Sequence, residues 1–401
     1  METTNLYTAK NQCSGCEVCS QACQKHIISM CPDEEGFLYP RIEDNSGCIN
    51  CGRCLAVCPM KHPGRESLSI SDSYGGYVKD FEGLKECASG GYTTAIGKQF
   101  IMNGGVVYGV RWSDDFKTAI FDKAISAEEI ERFRTSKYAQ ALKSQVYASV
   151  LKDLRAGTKV LFVGLPCEVS ALYHYVGKNT ENLYTISLIC HGPTSPKVHK
   201  DFCNQLEKSH HSEIISFSLR AKVKGWKPYY IKVKFKNGKL FQNPFEETVY
   251  GIAFQYLKRP SCSVCRYKTK DSAFGLISDL TLGDFHSVSP NSVIYNSWGV
   301  SQASIQSEKG RYLLGLISKS CVIDEIPSKT ILSSNEAFHK AIPQKEKRGQ
   351  FASAYISHSL KYACYQPSVF LSYAKRQIEK KWMRFKFFLL NDFLRKSKLE
   401  A

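Results

Sequence analysis

Cys13-Ser14-Gly15-Cys16-Glu17-Val18-Cys19-Ser20-Gln21-Ala22-Cys23 and Cys48-Ile49-Asn50-Cys51-Gly52-Arg53-Cys54-Leu55-Ala56-Val57-Cys58-Pro59 share one pattern. Each has three cysteines at two-residue gaps and a fourth after a three-residue gap. A two-residue gap lets a tight loop aim three thiolates at corners of one cubane, while the fourth cysteine reaches the cubane of the other run. The spacing predicts two 4Fe–4S clusters, one on Cys13, Cys16, Cys19 and Cys58, the other on Cys48, Cys51, Cys54 and Cys23. It also predicts that each fourth cysteine starts a helix leading away from its loop. Ser14, Gly15, Ala22, Gly52 and Ala56 are small where bulk would crowd the sulfides. Zinc prefers separated C-x2-C pairs, which two matching four-cysteine runs fit poorly.

The spacing is that of bacterial two-cluster ferredoxins, with one departure: Gln24 follows Cys23 where Pro59 follows Cys58. The chain has 401 residues and 17 cysteines. That length points to two or three domains. Met1–Lys10 lacks the basic-then-apolar pattern of a secretory leader, and no apolar run is long enough to span a bilayer. The expected location is the cytoplasm, where spaced cysteines read as metal ligands rather than disulfides. Cys31, between the two runs, reads as a buried structural thiol, and Gly36–Pro40 as a strand before a turn.

The net charge is +17 but uneven: residues 1–70 hold six Lys/Arg and eight Asp/Glu, so the excess lies downstream. A basic surface suits an acidic partner, a phosphorylated ligand, nucleic acid or an anionic membrane. Lys375–Ala401 carries nine Lys/Arg against three Asp/Glu, interleaved with Trp382, Phe385, Phe387, Phe388, Leu389, Leu390, Phe393 and Leu394. On a helix this is a basic amphipathic element. It suits peripheral contact with the inner face of a membrane or, slightly better, docking on the core with its basic side solvated. Nucleic acid is the weaker partner.

The expected domains are a two-cluster ferredoxin module over 1–70, two parts of a mixed α/β domain over 71–158 and 159–330, and a helical basic tail over 331–401. The fold class is α+β and α/β: a ferredoxin-like two-cluster module followed by a mixed α/β flavin-binding domain. Lys61–Tyr77, with Pro63, Gly64 and Gly75-Gly76, reads as a linker. Ser89-Gly90-Gly91 opens a helix through Phe100. Val106–Val110 is a strand, Ser126 and Glu129 form a capping box, and Ser144–Arg155 is helical. Val160–Val163, a helix over Glu168–Val176 and Leu183–Ile189 form a βαβ unit with parallel strands. Cys167 and Cys190 then lie beyond carboxyl ends of strands, where open α/β sheets hold ligands. Ile214–Arg220 and a hairpin around Asn237-Gly238 follow, then a helix over Glu247–Leu257, the pair Cys262-Ser263-Val264-Cys265, and a strand from Asp279 ending in a glycine turn at Gly283-Asp284.

Taken together, Ser89-Gly90-Gly91, Ser136-Lys137-Tyr138, Gly164-Leu165-Pro166-Cys167-Glu168, Cys190-His191-Gly192, Cys262-Ser263-Val264-Cys265 and Ser278-Asp279 through Gly283-Asp284 resemble the beta subunits of coenzyme F420 hydrogenases and dehydrogenases, over about residues 80–305. The resemblance implies a flavin- and iron–sulfur-dependent oxidoreductase, usually with FAD, that draws electrons from a ferredoxin-type donor or redox partner and passes them to a small organic acceptor. Relatives with the ferredoxin module first resemble proteins found beside bacterial surface-polysaccharide enzymes. The family commonly has Thr and Gln where this chain has Leu165 and Glu168, and a glutamate beside a flavin would add negative charge.

On this basis Ser89, Gly90, Gly91, Ser136, Lys137, Tyr138 and Asp284 are the expected flavin contacts. The alternatives are a plain glycine turn for the first three, a solvated lysine for Lys137 and a loop cap for Asp284. Cys167, Cys190, Cys262 and Cys265 are the candidate ligands of a third 4Fe–4S cluster; alone, the C-x2-C pair also reads as zinc or a redox pair. His191 is the candidate proton donor, its ordinary pKa suiting that role, against a purely structural histidine. Cys87, Cys203, Cys321 and Cys364 read as packed thiols. Two rivals to the enzyme are an electron-transfer subunit without its own substrate site and an iron–sulfur redox sensor or adaptor.

Overall fold

The computed structural model describes residues 6–43, 46–178, 180–271, 273–371, 373–375 and 378–379. The two cysteine runs carry helices of about one turn, Val18–Ala22 and Arg53–Ala56. Each begins just after a left-handed residue, Glu17 at φ 66° and Gly52 at φ 69°. The helices therefore come early in their runs, and Cys23 and Cys58 follow their ends instead of starting new ones. Between the runs, β1 (Ile28–Pro32) and β2 (Leu38–Ile42) pair antiparallel. The Asp33 carboxylate closes their turn by accepting the Phe37 N–H at 2.9 Å. The strand in Gly36–Pro40 thus follows its turn, and Cys31 on β1 is half-buried rather than buried.

The main body is built on β3 (Asp72–Val78), β4 (Val106–Trp112), β5 (Ala119–Ala124), β6 (Val160–Gly164) and β7 (Leu183–Leu188). A three-stranded antiparallel sheet follows: β8 (Ile214–Ala221), β9 (Tyr230–Phe235) and β10 (Leu240–Pro244). Then β11 (Leu280–Asp284), β12 (Ser301–Ile305) and β13 (Cys321–Glu325) return to the main sheet. Its order is β13-β3-β12-β11-β7-β6-β4-β5. β11, β7, β6 and β4 run parallel, and the other strands are antiparallel to their neighbours. The protein is thus a mixed α/β chain with a small ferredoxin-like module at its N-terminus. All of Val160–Gly164 is buried, as expected of a parallel strand covered on both faces.

Asp72–Val78 is an interior strand, not linker. Gly75-Gly76 mimics a turn signal, but the glycines meet a packing need: a Cβ on Gly76 would sit 1.9 Å from the Val322 carbonyl oxygen. Gly283 likewise lies inside β11 rather than in a turn. The Ser126–Glu129 box opens a 3-10 helix, Glu129–Phe133, with the Glu129 N–H donating to Ser126 Oγ at 3.3 Å and the Glu129 carboxylate accepting the Ile125 N–H at 2.7 Å.

One apolar core runs through both module and main body. It includes Val18, Ala22, Phe37 and Tyr39 from the module and Tyr147, Val150, Phe162 and Leu172 from the body. Polar contacts fix the docking: Tyr147 Oη donates to the Cys16 carbonyl at 2.9 Å, Gln140 Nε2 to that of Gly15 at 2.9 Å, and Arg348 forks onto the Glu35 carboxylate. Helices Arg348–Ser357 and Leu360–Tyr365 pack near Val249–Tyr256, with Tyr256 stacked on Phe351 at 5.8 Å. Most of the basic tail, including Trp382 through Leu394, lies outside the described residues. Among the described residues no helix is long and apolar enough to cross a membrane.

Candidate functional site

The candidate site comprises three groups of thiols, two in the module and one in the main body, and a cavity of about 420 Å³ in the main body. In the first group, burial pushes the Cys16 thiol up to about 12, with Cys13 and Cys58 adding to it. Burial also raises Cys19 well above the thiol range, reinforced by Cys16, Cys13 and Cys58. In the second group, Cys54 is raised by burial with Cys23 and Cys51 contributing, and Cys51 is exposed. Cys48 stands on the same loop. The folded chain therefore brings Cys58 to the first run and Cys23 to the second. Bare thiolates this close repel one another, whereas bound iron would hold them deprotonated. The donor set fits such a group.

The third group joins distant segments. Cys167 begins the helix Pro166–Val176 beyond β6, Cys190 follows β7, and Cys262 and Cys265 sit on the loop after Val249–Tyr256. All four line one cavity of about 60 Å³. Burial holds the Cys167 thiol well above its usual range, with Glu168, Cys265, Cys190 and then Cys16 of the module adding to it. Cys262 is raised by burial, then by Cys190 and Cys265. The Gly192 N–H donates to Cys190 Sγ at 3.2 Å. Among the described residues no three His, Cys, Asp or Glu side chains close in as a single metal ion requires. The four thiols share that cavity with Lys143, Pro166, Lys268 and Phe274.

Beyond them lies a cavity of about 420 Å³ at the carboxyl ends of β6, β7 and β11. Ser89, Gly91, Ser136, Lys137, Tyr138, His191 and Asp284 all line it. Gly90 does not; it lies behind the wall, where a Cβ would sit 2.3 Å from the Gly76 carbonyl oxygen and 2.4 Å from Ser301 N. Gly91, at φ 88°, caps the helix Tyr92–Met102, whose first turn faces the cavity and offers free N–H groups to an anion. Lys137 is not a solvated lysine. Burial pushes its ammonium down to about 7, and it donates to the carbonyls of Arg132 and Arg134 at 3.2 and 2.5 Å. Tyr138 packs against Phe254 and Phe245 at ring distances of 4.6 and 5.4 Å.

Asp284 is held by neighbours rather than capping a loop. Arg220 Nη1 donates to its carboxylate at 2.8 Å and His286 Nε2 lies 3.4 Å away. Burial alone would raise the Asp284 carboxyl, but Arg220 and His286 hold it below the usual range. Arg220 is 6% exposed, and its Nε and Nη2 find no partner among the described residues. Its guanidinium also lies over the Tyr229 ring at 4.6 Å, and a cavity wall that carries the free N–H groups of a helix start fits an anion-bearing ligand such as a flavin.

Burial pushes the His191 imidazole, in the cavity wall, down to about 4, with Lys258 and Lys268 adding to it. One expectation changes. Glu168 brings no uncompensated charge: Lys143 Nζ pairs with it at 2.9 Å, with both side chains buried. Arg220, Lys143 and Arg259 were not picked out by sequence reasoning. A basic residue in a strand or loop reads as solvated, and nothing local marks these as buried. Cys87, Cys203, Cys321 and Cys364 are buried, as expected.

Residues 12–62 match the 4Fe-4S dicluster domain. Residues 157–329 match the family described as the carboxyl-terminal part of the coenzyme F420 hydrogenase/dehydrogenase beta subunit, so Ser89-Gly90-Gly91 and Ser136-Lys137-Tyr138 lie ahead of the matched stretch. No curated protein matches the chain. Among solved structures, a chain of the F420-reducing NiFe hydrogenase complex from Methanosarcina barkeri is 19% identical, with a TM-score of 0.44 over 67% of this chain and 84% of that one.

Proposed function

We propose that this chain, which joins a 4Fe-4S dicluster domain to the C-terminal domain of the coenzyme F420 hydrogenase/dehydrogenase beta-subunit family, is an iron–sulfur flavoprotein oxidoreductase. It works between a ferredoxin-type donor and a small organic acceptor. One observation carries the reading: Cys190, His191 and Gly192 line both the four-cysteine cavity and the larger one. In this proposal Cys13, Cys16, Cys19 and Cys58 hold one cluster, Cys48, Cys51, Cys54 and Cys23 the second, and Cys167, Cys190, Cys262 and Cys265 a third. The larger cavity takes FAD. When bound, the clusters would carry electrons singly and the flavin would exchange pairs of them as hydride.

The chain's own residues position and insulate. The first turn of Tyr92–Met102 faces negative charge, and Lys137, tied to the Arg132 and Arg134 carbonyls, holds the facing loop in place. Tyr138 supplies an apolar wall with a polar tip. Lys143 neutralises Glu168, keeping the wall between the two cavities free of net negative charge. His191, which lines both cavities, is the candidate proton donor.

Cys190→Ser tests the reading. In protein prepared without oxygen, bleaching of the flavin by reduced ferredoxin should be fast in the parent and much slower in the variant, with the dicluster iron retained. Equal rates would overturn the path, and a chain without flavin would overturn the assignment of the larger cavity and favour a redox sensor or adaptor. A second reading, an electron-transfer subunit whose partner holds the substrate, draws on the family's description as a subunit. Copurification of a partner, with no turnover by the isolated chain, would favour it.

A further inference from the structure

A second chamber of about 460 Å³ lies beside the flavin-assigned cavity of about 420 Å³, and Arg134, Thr135, Lys137 and Arg220 line both. Its far wall is the exposed face of the small sheet. Ser216 pairs with Lys234 and Ser218 with Lys232 across β8 and β9, and side chains two apart on a strand share a face. All four line the chamber.

Its charges are unequal. Arg111 is paired with Asp114 and Asp122, and Arg134 with Glu131. Lys222, Lys232 and Lys234 have no ion-pair partner among the described residues. Lys222 donates to the carbonyls of Leu84 and Ser89, each at 2.7 Å, and burial pushes its ammonium down to about 8. Arg220 and Arg134 stand in the shared wall, Arg220 held by Asp284 at 2.8 Å and lying over the Tyr229 ring at 4.6 Å, and Arg134 held by Glu131. Two guanidinium groups in the shared wall and the ammonium groups of Lys232 and Lys234 on the far wall give the chamber an excess of positive charge that suits phosphate oxygens.

We propose that this chamber binds the phosphate-bearing part of the organic acceptor, a small molecule carrying a diphosphate or an equivalent pair of anionic groups, so that the rest of the molecule reaches through the shared wall into the flavin-assigned cavity. The inference rests on the flavin reading of that cavity and names the substrate class for it. The same phosphate chemistry could come from the flavin's own tail, and the test separates the two.

The full chain, prepared without oxygen and carrying flavin, is titrated with inorganic pyrophosphate by calorimetry while released flavin is measured. Saturable binding without flavin release is expected. Arg220→Lys, which keeps charge but loses the planar fork, should weaken it by roughly tenfold or more. Lys232→Ser with Lys234→Ser, on an exposed face where folding is not at stake, should weaken it too and flatten its salt dependence. No saturable binding, binding that expels flavin, or affinity unchanged in both variants would overturn the proposal. A chain that arrives without flavin contradicts the reading of the flavin-assigned cavity instead, and pyrophosphate binding or its absence still decides the chamber.

Discussion

Arg259 touches Cys13: its Nη2 lies 3.5 Å from the Cys13 sulfur, and its Nε donates to the Cys13 carbonyl at 2.8 Å. The guanidinium is buried, stacks over the Tyr39 ring at 4.2 Å, and belongs to the residue that opens the loop bearing Cys262 and Cys265. One side chain thus ties the first cysteine set to the third. A positive group and an N–H donor at a ligand sulfur favour the more negative, reduced form of a cluster and raise its potential.

Arg259→Lys should therefore lower the midpoint potential of the cluster assigned to Cys13, Cys16, Cys19 and Cys58. A loss of about 1.4 kcal/mol in differential stabilisation corresponds to about 60 mV for one electron. A redox titration followed by electron paramagnetic resonance reads the shift. An unchanged potential, with iron content intact, would show that the contact is only structural.

Glu168→Gln should destabilise the fold by up to about 3 kcal/mol, because it removes the closer of the two carboxylates that compensate the buried Lys143 ammonium, Glu17 being the other. The Leu165 N–H, which donates to the Glu168 carboxylate at 2.9 Å, keeps an acceptor in the variant, so the loss isolates the ion pair. Burial alone would lower the Lys143 ammonium, but Glu168 and Glu17 raise it, which marks a charged and compensated group. Thermal unfolding without oxygen measures the effect, and replacing Lys143 by Met in the same chain should recover most of it. An unaltered midpoint in the single variant would contradict the pairing.

His199 gives a pH dependence of known sign. Its ring stacks on Trp112 at 4.0 Å, its Nε2 donates to the Phe116 carbonyl at 2.8 Å, and Nδ1 has no partner among the described residues. Burial pushes it from the ordinary 6.5 down to about 4. The unfolded chain then binds more protons below pH 6.5, so this contribution to stability is full above 6.5 and is lost as pH falls toward 4. His199→Phe, which keeps the stacking, should flatten the fall in unfolding temperature over that window relative to the parent. Equal slopes would place the imidazole in contact with water.

Much of this organisation was legible because it is local. The two cysteine runs announce their chemistry by spacing, and the βαβ unit of β6 and β7 placed Cys167 and Cys190 beyond strand ends from sequence alone. Two local signals misled. Gly75-Gly76 looks like a turn and is an interior strand with a backbone pressed against it, and the fourth cysteines follow helices because Glu17 and Gly52 start those helices early. The charged groups were illegible for another reason. Lys143, Arg220 and Arg259 are defined by partners far away in the chain, or by the lack of one, and no window of sequence carries that information.

Iron and acid-labile sulfide, counted per chain in protein made without oxygen, reach the centre of this account most directly. The account predicts about twelve of each, falling to about eight on replacing Cys262 by Ser. Eight in both proteins would remove the third cluster and with it the path to the flavin-assigned cavity, and a colourless chain without sulfide would contradict the account entirely.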